Sequence, residues 1–206
     1  MSGVDVVAAF DFDGTLSPRD NFVPFLRRFA GTTATARAFA TGAVRAARAG
    51  KEHWSRNGIK AEVLHDLFAG RDVADLDDTA RAFADDVIHH HLRGEAVERA
   101  DWHRTQGHRL VIVSASLAVY LRPIAEWLRF DAVLATELEV GDDGLLTGAM
   151  AGPNVRGPEK ARRLDEWLAG ATPFVWAYGD SSGDKELWAR ADRAVRLGRR
   201  AHRGTT

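Results

Sequence analysis

Val4-Asp5-Val6-Val7-Ala8-Ala9-Phe10-Asp11-Phe12-Asp13-Gly14-Thr15 reads as a buried β-strand that ends in two carboxylates and a turn. The run 4–10 is short, apolar and mostly non-alternating, as a strand covered on both faces must be. Asp11 and Asp13 emerge at its carboxyl end, where open α/β sheets keep their ligands. Gly14-Thr15 then supplies the turn. Two acids so placed can hold a divalent cation and attack a phosphate.

Similar runs recur at 109–113, 132–135 and 174–178. Helices are expected at 117–129, 158–169 and 184–190, between and after those runs. The alternation predicts the α/β class: a Rossmann-like parallel sheet with helices on both faces. Residues 137–140 and 145–149, joined by Gly141-Asp142-Asp143-Gly144, read as a β-hairpin. The stretch 17–93 breaks the pattern. It carries no strand signal, and its apolar residues recur at helical spacing: Phe22, Phe25, Leu26 and Phe29, then Ile59, Val63, Leu64, Leu67 and Phe68. An insert of about 75 residues is too long for a loop. The expected division is therefore a core of 1–16 and 94–206, with a helical cap at 17–93 inserted after the first strand. The tail 199–206 is polar and basic and is expected to fray.

The totals narrow the classes. A chain of 206 residues can bury one sizeable core. Its formal net charge of −1 gives no global electrostatic case for a nucleic-acid partner. With no cysteine there is no thiol nucleophile, disulfide or cysteine-ligated zinc. No apolar run approaches the roughly 20 residues of a membrane span, and no basic region precedes an apolar stretch at the amino terminus. The default location is cytoplasmic. Oligomeric state is not readable from these features.

Four elements carry chemistry, each at or beyond the carboxyl end of an expected strand or at a helix start. Besides Asp11 and Asp13, Ser114 lies in Val111-Ile112-Val113-Ser114-Ala115-Ser116, read as a strand running into a helix start. There a hydroxyl and the free amides from Ala115 onward can hold a phosphate. Lys160 lies just inside a helix opened by Pro158. It is one of only four lysines, with Lys51, Lys60 and Lys185. Gly179-Asp180-Ser181-Ser182-Gly183-Asp184 follows the last apolar run. Together they supply a carboxylate nucleophile, a second acid for proton transfer, hard oxygen ligands for Mg²⁺, and a hydroxyl and a cation for phosphate oxygens.

In residue type, order and spacing these motifs resemble the haloacid dehalogenase-like phosphatases, and the position of the insert is similar to the phosphoserine phosphatase-like branch (subfamily IB). The resemblance implies that Asp11 becomes an aspartyl-phosphate, and that Asp13 protonates the leaving group and then activates water. It implies Ser114, Ala115 and Lys160 as phosphate binders. Mg²⁺ would be held by Asp11, the Asp13 carbonyl and Asp180, with Asp184 in support through a water or by pairing with Lys160. Two departures bear on the substrate. The branch commonly has Ser-Gly-Gly where this chain has Ser114-Ala115-Ser116, and an Asn where it has Gly183. Asp20 lies nine residues beyond Asp11, where phosphoserine phosphatases carry a glutamate that reads the substrate amine. An acid there fits phosphoserine, histidinol phosphate and other amine-bearing esters, and Arg56 and Lys60 are candidates to read a carboxylate.

Each residue also has a plainer reading. Asp20 could cap a helix beginning near Asn21, and Ser114 could be a helix N-cap. His89-His90-His91 cannot aim three rings at one ion from one helix; Asp85 with His89 and Asp86 with His90 are expected as surface pairs. Asp72, Asp75, Asp77 and Asp78 read as a solvated helix start. Arg37, Arg45, Arg48 and Lys51 read as a solvated face, and the tryptophans as packing residues. The sequence thus points to a phosphomonoesterase acting on a small phosphorylated metabolite. A phosphotransferase using the same residues, and a non-catalytic phosphate-ligand sensor, remain the alternatives.

Overall fold

A computed structural model describes residues 5–49 and 55–197. Val4, Lys51 and the tail 199–206 lie outside the described residues. The elements run β1 (Val6–Phe10), α1 (Phe22–Ala30), α2 (Thr32–Arg48), α3 (Arg56–Phe68), α4 (Val73–His90), α5 (Gly94–Thr105), β2 (Arg109–Leu117), α6 (Ala118–Trp127), β3 (Ala132–Thr136), β4 (Leu138–Val140), β5 (Leu146–Met150), α7 (Pro158–Leu168), β6 (Phe174–Gly179), a 3-10 turn (Ser182–Asp184), α8 (Lys185–Arg190) and β7 (Arg193–Arg196).

Five strands pair in parallel in the order β3-β2-β1-β6-β7. The chain works outward from β1 to β3 on one side and returns to lay β6 against the other side. That reversal beside β1 is the topological switch point, where such sheets open a crevice. Side-chain alternation along the strands splits the core in two. Ala8, Phe10, Leu110 and Ile112 pack with buried residues of α5, α6 and the 17–93 stretch. Val7, Ala9, Val111, Val113, Val175 and Ala177 pack against Leu164 and Leu168 of α7 and Leu187 of α8. Helices thus cover both faces, as the fully apolar strands require.

Among the described residues, 17–93 hold four helices, and the start signals of two of them lie in the sequence. Ser55 accepts from the Gly58 amide at 3.1 Å and Asp72 from the Ala74 amide at 2.7 Å, capping α3 and α4. Asp85–His89 and Asp86–His90 pair on the surface of α4 at 3.3 and 3.2 Å. Phe25 of α1, Phe83 of α4 and Tyr120 of α6 meet ring to ring at 4.8 to 5.3 Å. The hairpin β4–β5 reaches the same stretch from the other side: the Gly70 amide donates to the Leu146 carbonyl at 2.8 Å.

Three local expectations change. The second strand runs to Leu117, past Ser114, with a register shift before it ends. Ser114 is therefore inside the strand and caps no helix; α6 begins at Ala118. The last helix is split, a 3-10 turn ending at Asp184 before α8. Finally, β7 carries no apolar run to betray it. Its residues, Arg193-Ala194-Val195-Arg196, form an edge whose charged side chains discourage further pairing.

Beneath the sheet lies a buried aromatic and histidine cluster. His103 of α5 is fully buried, 2.7 Å from the Tyr178 hydroxyl through Nε2 and 2.7 Å from His108 Nδ1 through Nδ1. Burial first, then the neighbouring His108 and Arg99, pushes its pKa down to about 4.

Candidate active site

The crevice gathers the first, third and fourth motifs at the carboxyl ends of β1 and β6. Register places Phe10 beside Tyr178, and the Asp11 amide donates to the Tyr178 carbonyl at 2.8 Å. Asp11 and Asp180 thus leave adjacent strands at the same level. Carboxylate oxygens of Asp11, Asp180 and Asp184 lie within 4.8 Å of one another. Lys160, on the first turn of α7, is 3% exposed and donates to Asp11 Oδ1 and Asp184 Oδ1, both at 2.6 Å. Gly157 (φ +63°) and Pro158 open that helix and aim the lysine inward.

Asp184 is fully buried, and its oxygens are committed. Oδ2 accepts from the amides of Asp180 and Ser181 at 3.2 and 3.0 Å, while Oδ1 receives Lys160. Among the described residues its clearest task is to hold Lys160 and the Asp180 backbone in place. Two glycines let the acids crowd together. A Cβ on Gly14, whose φ is +84°, would overlap the Asp180 carboxylate, and one on Gly179 would lie 2.7 Å from Asp184 Cγ.

Electrostatics follow from this crowding. Three carboxylates gather about one lysine, an excess of negative charge, with Asp11, Asp184 and Lys160 buried. Burial raises the Asp11 carboxyl, Lys160 offsets part of that, and Asp184 adds to the rise. Asp180 is raised by burial and then by Asp184. Burial alone would lower Lys160, yet Asp11 and Asp184 hold it above its ordinary value. A cluster of hard oxygen donors with surplus charge is what Mg²⁺ requires, so the donor set fits that ion.

Asp13 stands slightly apart. Its Oδ1 accepts from the Asn21 backbone and side-chain amides at 3.0 and 2.7 Å, and its Oδ2 from the Ser116 hydroxyl. Burial pushes its pKa up to about 6 against those hydrogen bonds. Ser114 is buried, and its Oγ accepts from the Ser116 amide at 3.1 Å. The turn after β1 is latched by Arg93, which donates to the Thr15 and Gly14 carbonyls at 3.0 Å each.

Asp20 does two things. Its Oδ1 caps α1 through the Phe22 and Val23 amides at 3.0 and 3.4 Å, and its side chain also faces the cleft. Arg56, at the start of α3, lines the same cleft. Lys60 donates to the Ala115 carbonyl at 2.5 Å and to Asn154 Oδ1 at 2.7 Å, so two of its three donors are spent within the protein. Burial lowers its pKa to about 8. Asn21, Ser116, Arg93 and Asn154 carried no sequence signal for these positions, because each meets its partner only through the tertiary fold.

Comparisons with known proteins agree with this geometry. A family profile described as haloacid dehalogenase-like hydrolase matches residues 8–188. The protein CicA of Caulobacter vibrioides is 36% identical over 195 residues, covering 93% of this chain and 86% of that protein. A crystal structure of a protein of unknown function from Bordetella pertussis Tohama I superposes with a TM-score of 0.76 at 26% identity, over 93% of this chain and 89% of that one. A substrate-bound phosphoserine phosphatase complex shares the fold, with a TM-score of 0.64 at 19% identity, over 95% and 87% of the two chains.

Proposed function

The chain belongs to the haloacid dehalogenase-like hydrolases, and from that footing we propose that it is a Mg²⁺-dependent phosphomonoesterase working through an aspartyl-phosphate. The observation that carries this reading is Lys160 bridging Asp11 and Asp184, with the Asp180 carboxylate alongside. Asp11 Oδ2 would attack phosphorus while Oδ1 remains on Lys160. Lys160, Ser114 and the Ala115 amide would receive phosphate oxygens. Asp11, the Asp13 carbonyl and Asp180 would hold Mg²⁺, which when bound neutralises charge that otherwise opposes attack of an anion on an anion.

Asp13 would give its proton to the departing alkoxide and take one from the water that later cleaves the aspartyl-phosphate. Its raised pKa of about 6 suits a group that must both give and accept a proton near neutrality. Residues 17–93 would act as the cap, bringing Asp20, Arg56 and Lys60 over the cleft and excluding water during transfer. Asp20 favours an amine-bearing ester, with phosphoserine the first named substrate and histidinol phosphate the second. The lack of cysteine fits a reducing compartment, and the cytoplasm is the proposed location. Among the described residues no helix is long and apolar enough to cross a membrane.

The test is phosphate release from a broad phosphomonoester panel with Mg²⁺. Release is expected, falling to background with EDTA and returning with added Mg²⁺. An inactive protein across the whole panel overturns the reading.

A further inference from the structure

We propose, resting on the phosphomonoesterase reading, that the alcohol released by this enzyme carries an apolar body, a ring or an alkyl chain, far larger than a serine side chain. The cleft has two chambers. One, of about 550 Å³, holds Asp11, Lys160 and Asp180. The other, of about 440 Å³, opens beside Asp13 and is walled by Phe22, Val23, Phe39 and Ile59. Asp13, Asp20 and Ala115 line both, so an ester seated with its phosphate in the first would extend its alcohol into the second.

The polar groups of the second chamber are largely spent on one another. Lys60 donates to Ala115 O and Asn154 Oδ1, and its Nζ sits 4.9 Å from the Phe22 ring centroid. Asn154 Nδ2 donates to Asn57 Oδ1 at 2.8 Å, and the Ser116 hydroxyl is on Asp13. The other charged groups of its lining, Asp20, Arg56 and Arg156, are shared with the first chamber, so what the second adds for a ligand is mainly carbon. Cavities of roughly 300–1,000 Å³ take drug-sized ligands. Phosphoserine, the first ester the family resemblance suggests, would leave most of this one filled with water against phenyl and aliphatic walls, so the chamber moves the favoured substrate away from it.

Burying each methylene there is worth roughly a fourfold gain in kcat/KM. The test uses matched pairs with the same kind of leaving oxygen: phosphoethanolamine against phenylalaninol phosphate, and ethyl phosphate against octyl phosphate, with p-nitrophenyl phosphate as a general substrate. We expect kcat/KM to rise at least about 30-fold in one pair or both. A gain in the first pair alone identifies a ring, and in the second alone a chain. Phe39→Ala should cut the ratio at least about fivefold; because the ratio is taken within one preparation, the folded fraction cancels. Ratios near one in both pairs, or a ratio untouched by Phe39→Ala, overturn the proposal while leaving a phosphatase. If no ester is cleaved, p-nitrophenyl phosphate included, the phosphatase reading falls and the inference with it.

Discussion

Asp11 can be tested without dismantling its surroundings. In Asp11→Asn the amide oxygen can still accept from Lys160, so the buried pairing persists in weakened form while the nucleophile is lost. Turnover should fall by about a thousandfold or more with the far-UV spectrum unchanged; near-wild-type turnover would assign the nucleophile elsewhere. Asp20 needs a subtler substitution, because it caps α1 as well as facing the cleft. Asp20→Ala removes both roles and costs about 1 kcal/mol of helix capping. Asp20→Ser keeps a capping oxygen and removes only the charge. Asp20→Ser should therefore lower kcat/KM for amine-bearing esters more than for amine-free ones; equal losses would confine Asp20 to capping. Gly14 is the third case. Its φ of +84° and the Asp180 carboxylate against its Cα leave no room for a methyl group. Gly14→Ala should raise the Mg²⁺ concentration for half-activity by tenfold or more, a titration an unaffected site would repeat unchanged.

At the scale of elements, what the sequence revealed and what it hid divide by range. Asp11, Asp13, Asp180 and Asp184 were legible because each sits on a strand–turn whose apolar run precedes it locally. Ser114 stands out in the sequence but its local structure does not: an apolar run cannot show that a strand continues through a bulge to Leu117. Lys60 was singled out, but its partner Ala115 lies 55 residues away, a pairing only the packed α3 reveals. The contact between α5 and β6 hides a further consequence. Neutral His103 in the fold has its pKa depressed to about 4, against an ordinary 6.5 in the unfolded chain. Its stabilising contribution is therefore complete above pH 6.5 and is lost as pH falls toward 4, by on the order of 3 kcal/mol. Urea midpoints of wild type and His103→Gln at pH 7 and pH 4.5 should show the gap closing. Asp11 and Asp13 titrate in both proteins and cancel. A constant gap would mean that His103 titrates with the same pKa in the folded and the unfolded chain.

Over the whole molecule, the two faces of the sheet serve different ends. One packs α7, which carries Lys160, and α8, which Asp184 immediately precedes; the other is continuous with residues 17–93, whose Asp20, Phe22, Arg56 and Ile59 line the cleft. The insert and α7 thus reach the cleft from opposite sides of β1 and meet at its carboxyl end. The strand order has a consequence for how the protein is made. Asp11 meets Lys160 across 149 residues of chain, and β1 gains its second neighbour only when β6 is made. At about 5–20 residues per second, a ribosome needs roughly ten to thirty seconds between those events. Throughout that interval the Asp11 carboxylate lacks the lysine that pairs with it in the finished fold. The site is therefore completed only late in translation, after residues 17–93 have been synthesised, and an unfinished chain that lacks Lys160 and Asp184 holds only part of it.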